Sequence, residues 1–429
     1  MSSIFANRRS SLPTISELRI LDTLYGDIAF RPSISDLARR PLVQRLRQIR
    51  LSNIDSLDMP GIANITRFEH SLGTSYLASV VGFAFDLSGE ERDILESAAL
   101  IHDTAITPFG HLVEEALSYM NSDFDHEKKW SLLLSHPGQG NLGGMSTQMF
   151  CGRTSGLTEW ANDNYSGEGT RVLTSILDAI KGNGKLGPCI AGTLDLDNID
   201  NVVRIAYHMG LRPNPELPIR IARAMKGVSQ NRELLFQYSA IGDLQSWVQL
   251  RQSVYERLMP SRLDFCGKLM LLYSTVEALK SGELSGDEWY LTDADLLNRL
   301  TASPTVSIRD TVTRWLMGDL WDASGLLWMR ENPPQFHDLT GFADTLTDKL
   351  NRRCFAYRIK DKRKRKFSVR WTTGEGAILG DDSDLWLLGI GSPVKRPFSV
   401  SDNRLISALA ADTFNSEHIG RDGVGAKLF

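Results

Sequence analysis

The chain has 429 residues, of which 42% are hydrophobic and 23% charged, and it carries a formal net charge of −4. That length suits one large catalytic domain or two smaller ones with an ample core, and the mild acidity singles out neither nucleic acid nor membrane as a partner. No apolar run reaches transmembrane length, residues 1–13 lack the apolar centre of a signal peptide, and four scattered cysteines (Cys151, Cys189, Cys266, Cys354) without a CxxC argue against disulfides and thiolate metal sites, so a cytoplasmic protein is expected.

Residues 1–13 are polar and Ser-rich and read as a flexible N-terminus. From 14 to 54 the pattern predicts a short helix, a turn around Tyr25-Gly26 and an amphipathic helix over residues 34–50. Arg67 opens a helix whose apolar positions include Leu72, Tyr76, Leu77, Val80 and Val81. Ser88-Gly89-Glu90-Glu91 reads as a capping box, in which a serine and a glutamate three residues on each satisfy an orphan amide of the first turn. Beyond it Leu95, Ala99 and His102 recur on one apolar stripe, so His102 points inward. Thr107-Pro108 reads as the N-cap and first position of the next helix. Residues 136–168, rich in Gly, Ser, Asn and Thr, read as a surface excursion near the site. Asp195 to Asp200 opens a further helix (Ile199, Val202, Val203, Ala206, Met209) that Gly210 ends as a C-cap. Asp195 and Asp200 read as helix-start and ion-pair residues, Asp200 lying four before Arg204. Residues 182–187 match GxGxxG formally but follow a helix, which makes them a turn. Helical periodicity continues to 358, its longest run, 250–279, interrupted at Pro260. Beyond lie a basic run at 360–366, read first as a solvated connector, and strand-like segments at 367–371 and 385–388.

Histidine is concentrated in one place: His70, His102, His111 and His126, four of the chain's eight, fall within residues 67–127. An isolated His-Asp pair such as His102-Asp103 means little, but His70 upstream and Asp197 downstream raise its weight. Three helices can then supply four ligands to one ion. Imidazole nitrogen with carboxylate oxygen suits a divalent cation such as Mn, Fe, Co, Ni or Mg more than a thiolate-preferring zinc site does. His111 and Glu114, at i and i+3, share a helix face, where the carboxylate can fix the imidazole's tautomer.

In this order His70, His102-Asp103 and Asp197 resemble the H…HD…D signature of the HD superfamily of metal-dependent phosphohydrolases. The chain further resembles its deoxynucleoside triphosphate triphosphohydrolases in Asp22-Thr23-Leu24-Tyr25-Gly26-Asp27-Ile28, Pro41 to Arg50, Pro60-Gly61, Thr66 to Gly73, Pro108-Phe109-Gly110-His111, Asp125-His126-Glu127 and, more weakly, Leu291 to Leu296. The likeness spans about residues 20–358. It implies a mostly α, HD-domain helical phosphohydrolase fold over 14–358, with 359–429 as a basic connector and small mixed α/β C-terminal appendix. It implies one divalent metal ion on His70, His102, Asp103 and Asp197, catalytic roles for His111, Glu114 and His126, and Arg67 on the substrate phosphates. Leu51 and Ser52 fall at positions that lie against the sugar, and Asn198 and Asn201 at positions near the phosphates and sugar. Here the chain departs from the family: these four residues replace Gln, Leu, Lys and Tyr, Ile205 replaces a sugar-binding Asp, and Ile106 stands where relatives carry His or Asn. The resemblance implies metal-dependent hydrolysis of a (deoxy)nucleoside triphosphate to nucleoside and tripolyphosphate by a homo-oligomer, with altered sugar contacts. A phosphodiesterase or nucleotidase of the same superfamily, or a non-catalytic nucleotide sensor, remains open. Nucleic acid is possible as a partner but not indicated, and no membrane is.

Overall fold

The computed structural model describes residues 17–52, 59–120, 156–259 and 262–419. The first element differs from the sequence expectation. In place of a short helix, β1 (Leu18–Asp22) and β2 (Gly26–Phe30) pair antiparallel from Leu18↔Phe30 to Asp22↔Gly26. Gly26, at φ +73, closes the turn, and Asp22 Oδ1 accepts from the amides of Leu24 and Tyr25. The predicted helix over 34–50 is divided into Pro32–Ala38, Pro41–Arg45 and a 3-10 turn at Leu46–Gln48. Pro41 lacks the amide that would continue the first helix and holds Arg40 extended, at ψ 146.

The helices that carry the histidines begin where local chemistry says they should. Thr66 caps Arg67–Ala84 by accepting from Glu69 N, and Ser88 and Glu91 form the reciprocal capping box of Gly89–Ile101. Asp195 caps Leu196–His208 through Asn198 N, and Gly210 follows it at φ +76. Thr107-Pro108 does not start a helix. Phe109 and Gly110 both take positive φ, Thr107 Oγ1 bonds Gly110 O, and the helix Leu112–Tyr119 starts with His111 as its N-cap residue.

Helices predominate among the described residues, and the strands form small sheets. One sheet has the order β3 (Met225–Val228), β4 (Leu234–Phe236), β7 (Phe367–Trp371), β8 (Gly376–Leu379). Another runs β10 (Glu417–Ile419), β5 (Leu327–Arg330), β9 (Leu385–Gly391), β6 (Phe355–Lys360). Residue 358 thus lies inside β6, and β7 pairs parallel with β4 through Leu235↔Arg370 and Phe236↔Trp371. Of the excursion read at 136–168, Leu157–Asn164 is helical, with Trp160 fully buried and its indole donating to Ser33 O at 2.8 Å. Helices Ile241–Leu258 and Arg262–Lys280 flank the expected interruption, and Pro260 itself lies outside the described residues.

Two large apolar clusters organise the chain. One gathers Arg67–Ala84, Gly89–Ile101 and Leu196–His208, and the other gathers Leu112–Tyr119, Arg262–Lys280 and Phe336–Leu350 with the β5–β9–β6 strands. The loop from Asp103 to His111 crosses between them. Arg45, with no solvent exposure, pins it by donating to Ile106 O at 2.9 Å and Thr104 O at 3.4 Å on one side, and to Tyr290 O at 2.6 Å and Leu291 O at 2.8 Å on the other. Asp293 adds a second pin, accepting from Phe109 N at 2.6 Å and Arg50 N at 3.0 Å.

Candidate metal centre

His70 sits in the first turn of Arg67–Ala84, His102 at the C-cap of Gly89–Ile101 and Asp197 in the first turn of Leu196–His208. Their packing brings ligand atoms of all three within 4.8 Å of one another. His70 Nε2 is 2.9 Å from Asp197 Oδ1, and His102 Nε2 is 3.6 Å from the same oxygen. Asp103 Oδ2 stands 3.9 Å from His70 Nε2 and 3.6 Å from His102 Nε2. Bonds of about 2.1 Å to an octahedral cation separate neighbouring ligands by about 3 Å and opposite ligands by about 4.2 Å, so the spacings among His70, His102 and Asp197 suit one ion, while Asp103, whose Oδ2 also accepts from Arg67, stands beside that group.

The state of His102 is the sharpest test of that fit. Its Nδ1 donates to Ala99 O at 2.7 Å, which fixes the tautomer and leaves Nε2 with its lone pair. Nε2 is buried and has no hydrogen-bond partner, the Asp197 oxygen at 3.6 Å being too far for one. A buried acceptor left bare among carboxylates is costly unless a cation completes it. The donor set of two imidazoles and two carboxylates suits a divalent ion, and so the residues fit the metal that the motif implies.

By themselves the imidazoles and carboxylates compensate one another, and a divalent ion would displace the imidazole protons. Burial pushes the His70 imidazole down, but hydrogen bonds to the carboxylates of Asp197 and Asp200 outweigh it and raise its pKa to about 9. In the same way burial lowers the pKa of His102 while the charges of Asp103 and Asp197 raise it above its ordinary value. Burial favours neutral Asp103 and Asp197, yet the Arg67 guanidinium beside the former and the two imidazoles beside the latter hold both below the usual carboxylate range. The pocket is built to keep two carboxylates negative and to attract positive charge.

Around this cluster the other singled-out residues take distinct positions. Arg67 donates from Nη1 to Asp103 Oδ2 at 2.6 Å and from Nη2 to Leu51 O at 3.3 Å. His111 Nδ1 lies 2.9 Å from Glu114 Oε2, the contact the i, i+3 spacing expects, although His111 is the residue before the helix and not within it. Leu51 and Ser52 are both buried. Asn198 is turned back on the helix start, its side-chain amide donating to Asp195 Oδ1 at 2.9 Å. Asn201 lies one turn beyond Asp197, its Oδ1 buried and without a hydrogen-bond partner. Leu51 and Ile205 share a small apolar cluster with Ile62, Ile65, Val254 and Leu258. Ile106 is fully buried against Leu46 and Ile49. His126 lies outside the described residues. Asp200 makes the expected ion pair with Arg204 at 2.9 Å, and also a contact the sequence reading missed, 2.7 Å from His70 Nδ1. Nothing in local spacing links residues so far apart in the chain.

No protein-family model matches the chain. Over 265 residues, 56% of its length, it is 26% identical to the deoxynucleoside triphosphate triphosphohydrolase SAMHD1 of Homo sapiens, covering 41% of that protein. It is 28% identical over 191 residues to an uncharacterized protein of Methanocaldococcus jannaschii, covering 44% of this chain and 34% of the relative. With cns2 of Cordyceps militaris, a metal-dependent phosphohydrolase, it is 32% identical over 114 residues, 26% of this chain and 30% of that protein. The matches therefore span less than half the length of each of these relatives. No described helix is long and apolar enough to cross a membrane. The order of the motifs, the convergence of His70, His102 and Asp197, and these likenesses make the chain similar to the metal-dependent phosphohydrolases, the deoxynucleoside triphosphate triphosphohydrolases among them.

Proposed function

We propose that the protein hydrolyses a (deoxy)nucleoside triphosphate at the α-phosphate ester, releasing nucleoside and tripolyphosphate, with one divalent cation such as Mn or Mg held by His70, His102, Asp103 and Asp197. The observation that carries this reading is His102 Nε2, buried, bare of hydrogen bonds and aimed at two carboxylates. When bound, the cation supplies Lewis-acid activation of the phosphoryl group and of the attacking water. The chain's own residues do the rest. Arg67, whose planar fork suits phosphate oxygens, is anchored by Asp103 and Leu51 O at the edge of the cluster. Glu114 holds His111 through Nδ1, so that proton transfer to or from a reacting oxygen falls to Nε2. The resemblance adds His126 to the catalytic set.

Where the resemblance places the sugar, this chain carries Leu51, Ser52, Asn201 and Ile205. Leu51 and Ile205 belong to one apolar cluster, and Asn201 Oδ1 is a buried acceptor without a hydrogen-bond partner. A site that meets a hydroxyl with a carboxamide beside apolar side chains, in place of a carboxylate, grips it with a different selectivity. The substrate range accordingly extends to ribonucleotides or 3′-substituted nucleotides. Incubating the purified chain with Mn(II) or Mg(II) and a panel of (d)NTPs, cyclic nucleotides and short oligonucleotides, with mass analysis of products, tests this. Tripolyphosphate release is the expected result. A monophosphate product moves the assignment to a phosphodiesterase or nucleotidase, and nucleotide binding without turnover to a sensor.

A further inference from the structure

Behind His70 lies a buried polar relay that the phosphate side of the site does not use. Asp200, with no solvent exposure, lies 2.7 Å from His70 Nδ1 through Oδ1 and accepts from the Tyr25 hydroxyl at 2.7 Å through Oδ2. Arg204, equally buried, donates to both of these oxygens, at 2.9 and 3.0 Å. Its Nη1 continues to Asp22 Oδ2 at 3.1 Å and Glu69 Oε1 at 2.8 Å. Asp22 is the residue whose other oxygen closes the β1–β2 turn. Glu69 carries the relay to the surface, where it accepts from Thr23 Oγ1 at 2.5 Å and stands 3.3 Å from His208 Nε2.

The fold reserves space for this arrangement. A Cβ on Gly73 would stand 2.2 Å from Arg204 Nη2 and 2.3 Å from Asp200 Oδ2. Tyr25 is wedged in place, its ring 5.2 Å from that of Tyr76 and facing the Arg204 guanidinium at 5.6 Å. Stability alone does not account for so much buried charge, because replacing a buried ion pair by well-packed apolar groups is often neutral or stabilising. Orientation of His70 does account for it. An imidazole tied at Nδ1 to a carboxylate is held in one tautomer and one ring orientation, with Nε2 directed at the cation site.

We propose that Asp200, braced by Arg204 and Tyr25, is the positioning residue for His70, which makes the turn of the N-terminal hairpin a working part of the metal centre. This rests on the reading of His70 as a ligand. Mn(II) binding to the full chain, followed by loss of the free-ion EPR signal, tests it without any substrate, in wild type, Tyr25→Phe, Asp200→Asn and the control Asp36→Asn. Circular dichroism and thermal unfolding report which variants are folded. Asp200→Asn weakens Mn(II) binding about 10–100-fold, the usual cost of losing the partner of a ligating imidazole. Tyr25→Phe, which removes one hydrogen bond, weakens it about 2–10-fold. Asp36→Asn, whose carboxylate pairs with Arg40, leaves it unchanged. Wild-type affinity in folded Asp200→Asn and Tyr25→Phe overturns the proposal; if Asp200→Asn fails to fold, wild-type affinity in Tyr25→Phe overturns it alone. A wild-type chain that binds no Mn(II) overturns the metal reading as well, a failure visible before any variant is made.

Discussion

His102 and His111 stand nine residues apart in contrasting surroundings. A main-chain carbonyl fixes the first, and its lone pair faces a cluster of carboxylates; a flexible glutamate on the next helix turn fixes the second, whose side chain is about half exposed. The assignment separates them experimentally. His111→Ala lowers kcat about 10²–10³-fold, within the range for loss of a proton-transfer group, while Mn(II) affinity stays at the wild-type value. An equal loss of Mn(II) affinity would move His111 into the metal set. The convergence of His70, His102 and Asp197 could be read from the sequence because the motif is spelled in residue types with few other uses, and the His111–Glu114 contact because it is local. Asp200 was legible only in part. Its partner Arg204 is one helical turn away, whereas His70 reaches it from a different helix, and only packing decides such a meeting. For Asn198 the resemblance pointed to the phosphates, but a nearer partner, Asp195, takes its side-chain amide.

Among the elements, capping chemistry was the most readable layer and alternation the most easily misread. Ser88 and Glu91 fulfil their pattern in full. Residues 18–30 hold Leu18, Ile20, Ile28 and Phe30 at every second position around a Gly turn, a strand signal too short to stand out beside the helices that follow. Thr107-Pro108 has the composition of a helix start, but the positive φ of Phe109 and Gly110 turns the chain before a helix can form. One helix also carries a pH signature. Glu96 of Gly89–Ile101 has a side chain 4% exposed, and burial pushes its pKa up to about 7 although Arg31 lies 2.9 Å away. Folding therefore favours its neutral form. That contribution is fully present below the ordinary carboxylate pKa and is lost as pH rises through about 7. Glu96→Gln keeps the shape without the charge. Relative to wild type it gains about 1–3 kcal/mol between pH 5 and pH 8, measured by urea unfolding at both. Parallel pH profiles for the two proteins would sink this account.

Across the whole molecule, the proposed metal ligands belong to one apolar cluster and the helix of Glu114 to the other, so turnover depends on the seam between them. Arg45 is the main fastening, with four backbone carbonyls as its partners and no carboxylate among them. Arg45→Lys cannot reach all four and leaves buried acceptors unsatisfied, which costs about 2–4 kcal/mol. We expect a lower unfolding midpoint and a kcat loss exceeding any loss of Mn(II) affinity, because the shift falls on the loop leading to His111. Unchanged unfolding and turnover would refute the fastening role. The basic run that follows β6 is divided: Arg363 pairs with the buried Asp361 at 2.9 Å and lies over the Trp328 ring, whereas Lys364 is exposed and faces Asp381 at 4.0 Å.

The parallel pairing of β4 with β7 has a consequence for how the protein is made. A nascent chain that has left the ribosome only as far as residue 366 contains β4 but not β7, so one edge of β4 stays bare while more than a hundred residues are translated. An uncovered strand edge is a template for pairing with other copies. Expression fragments that stop before Phe367 keep that edge open permanently, and their aggregation would say nothing about the catalytic half they contain.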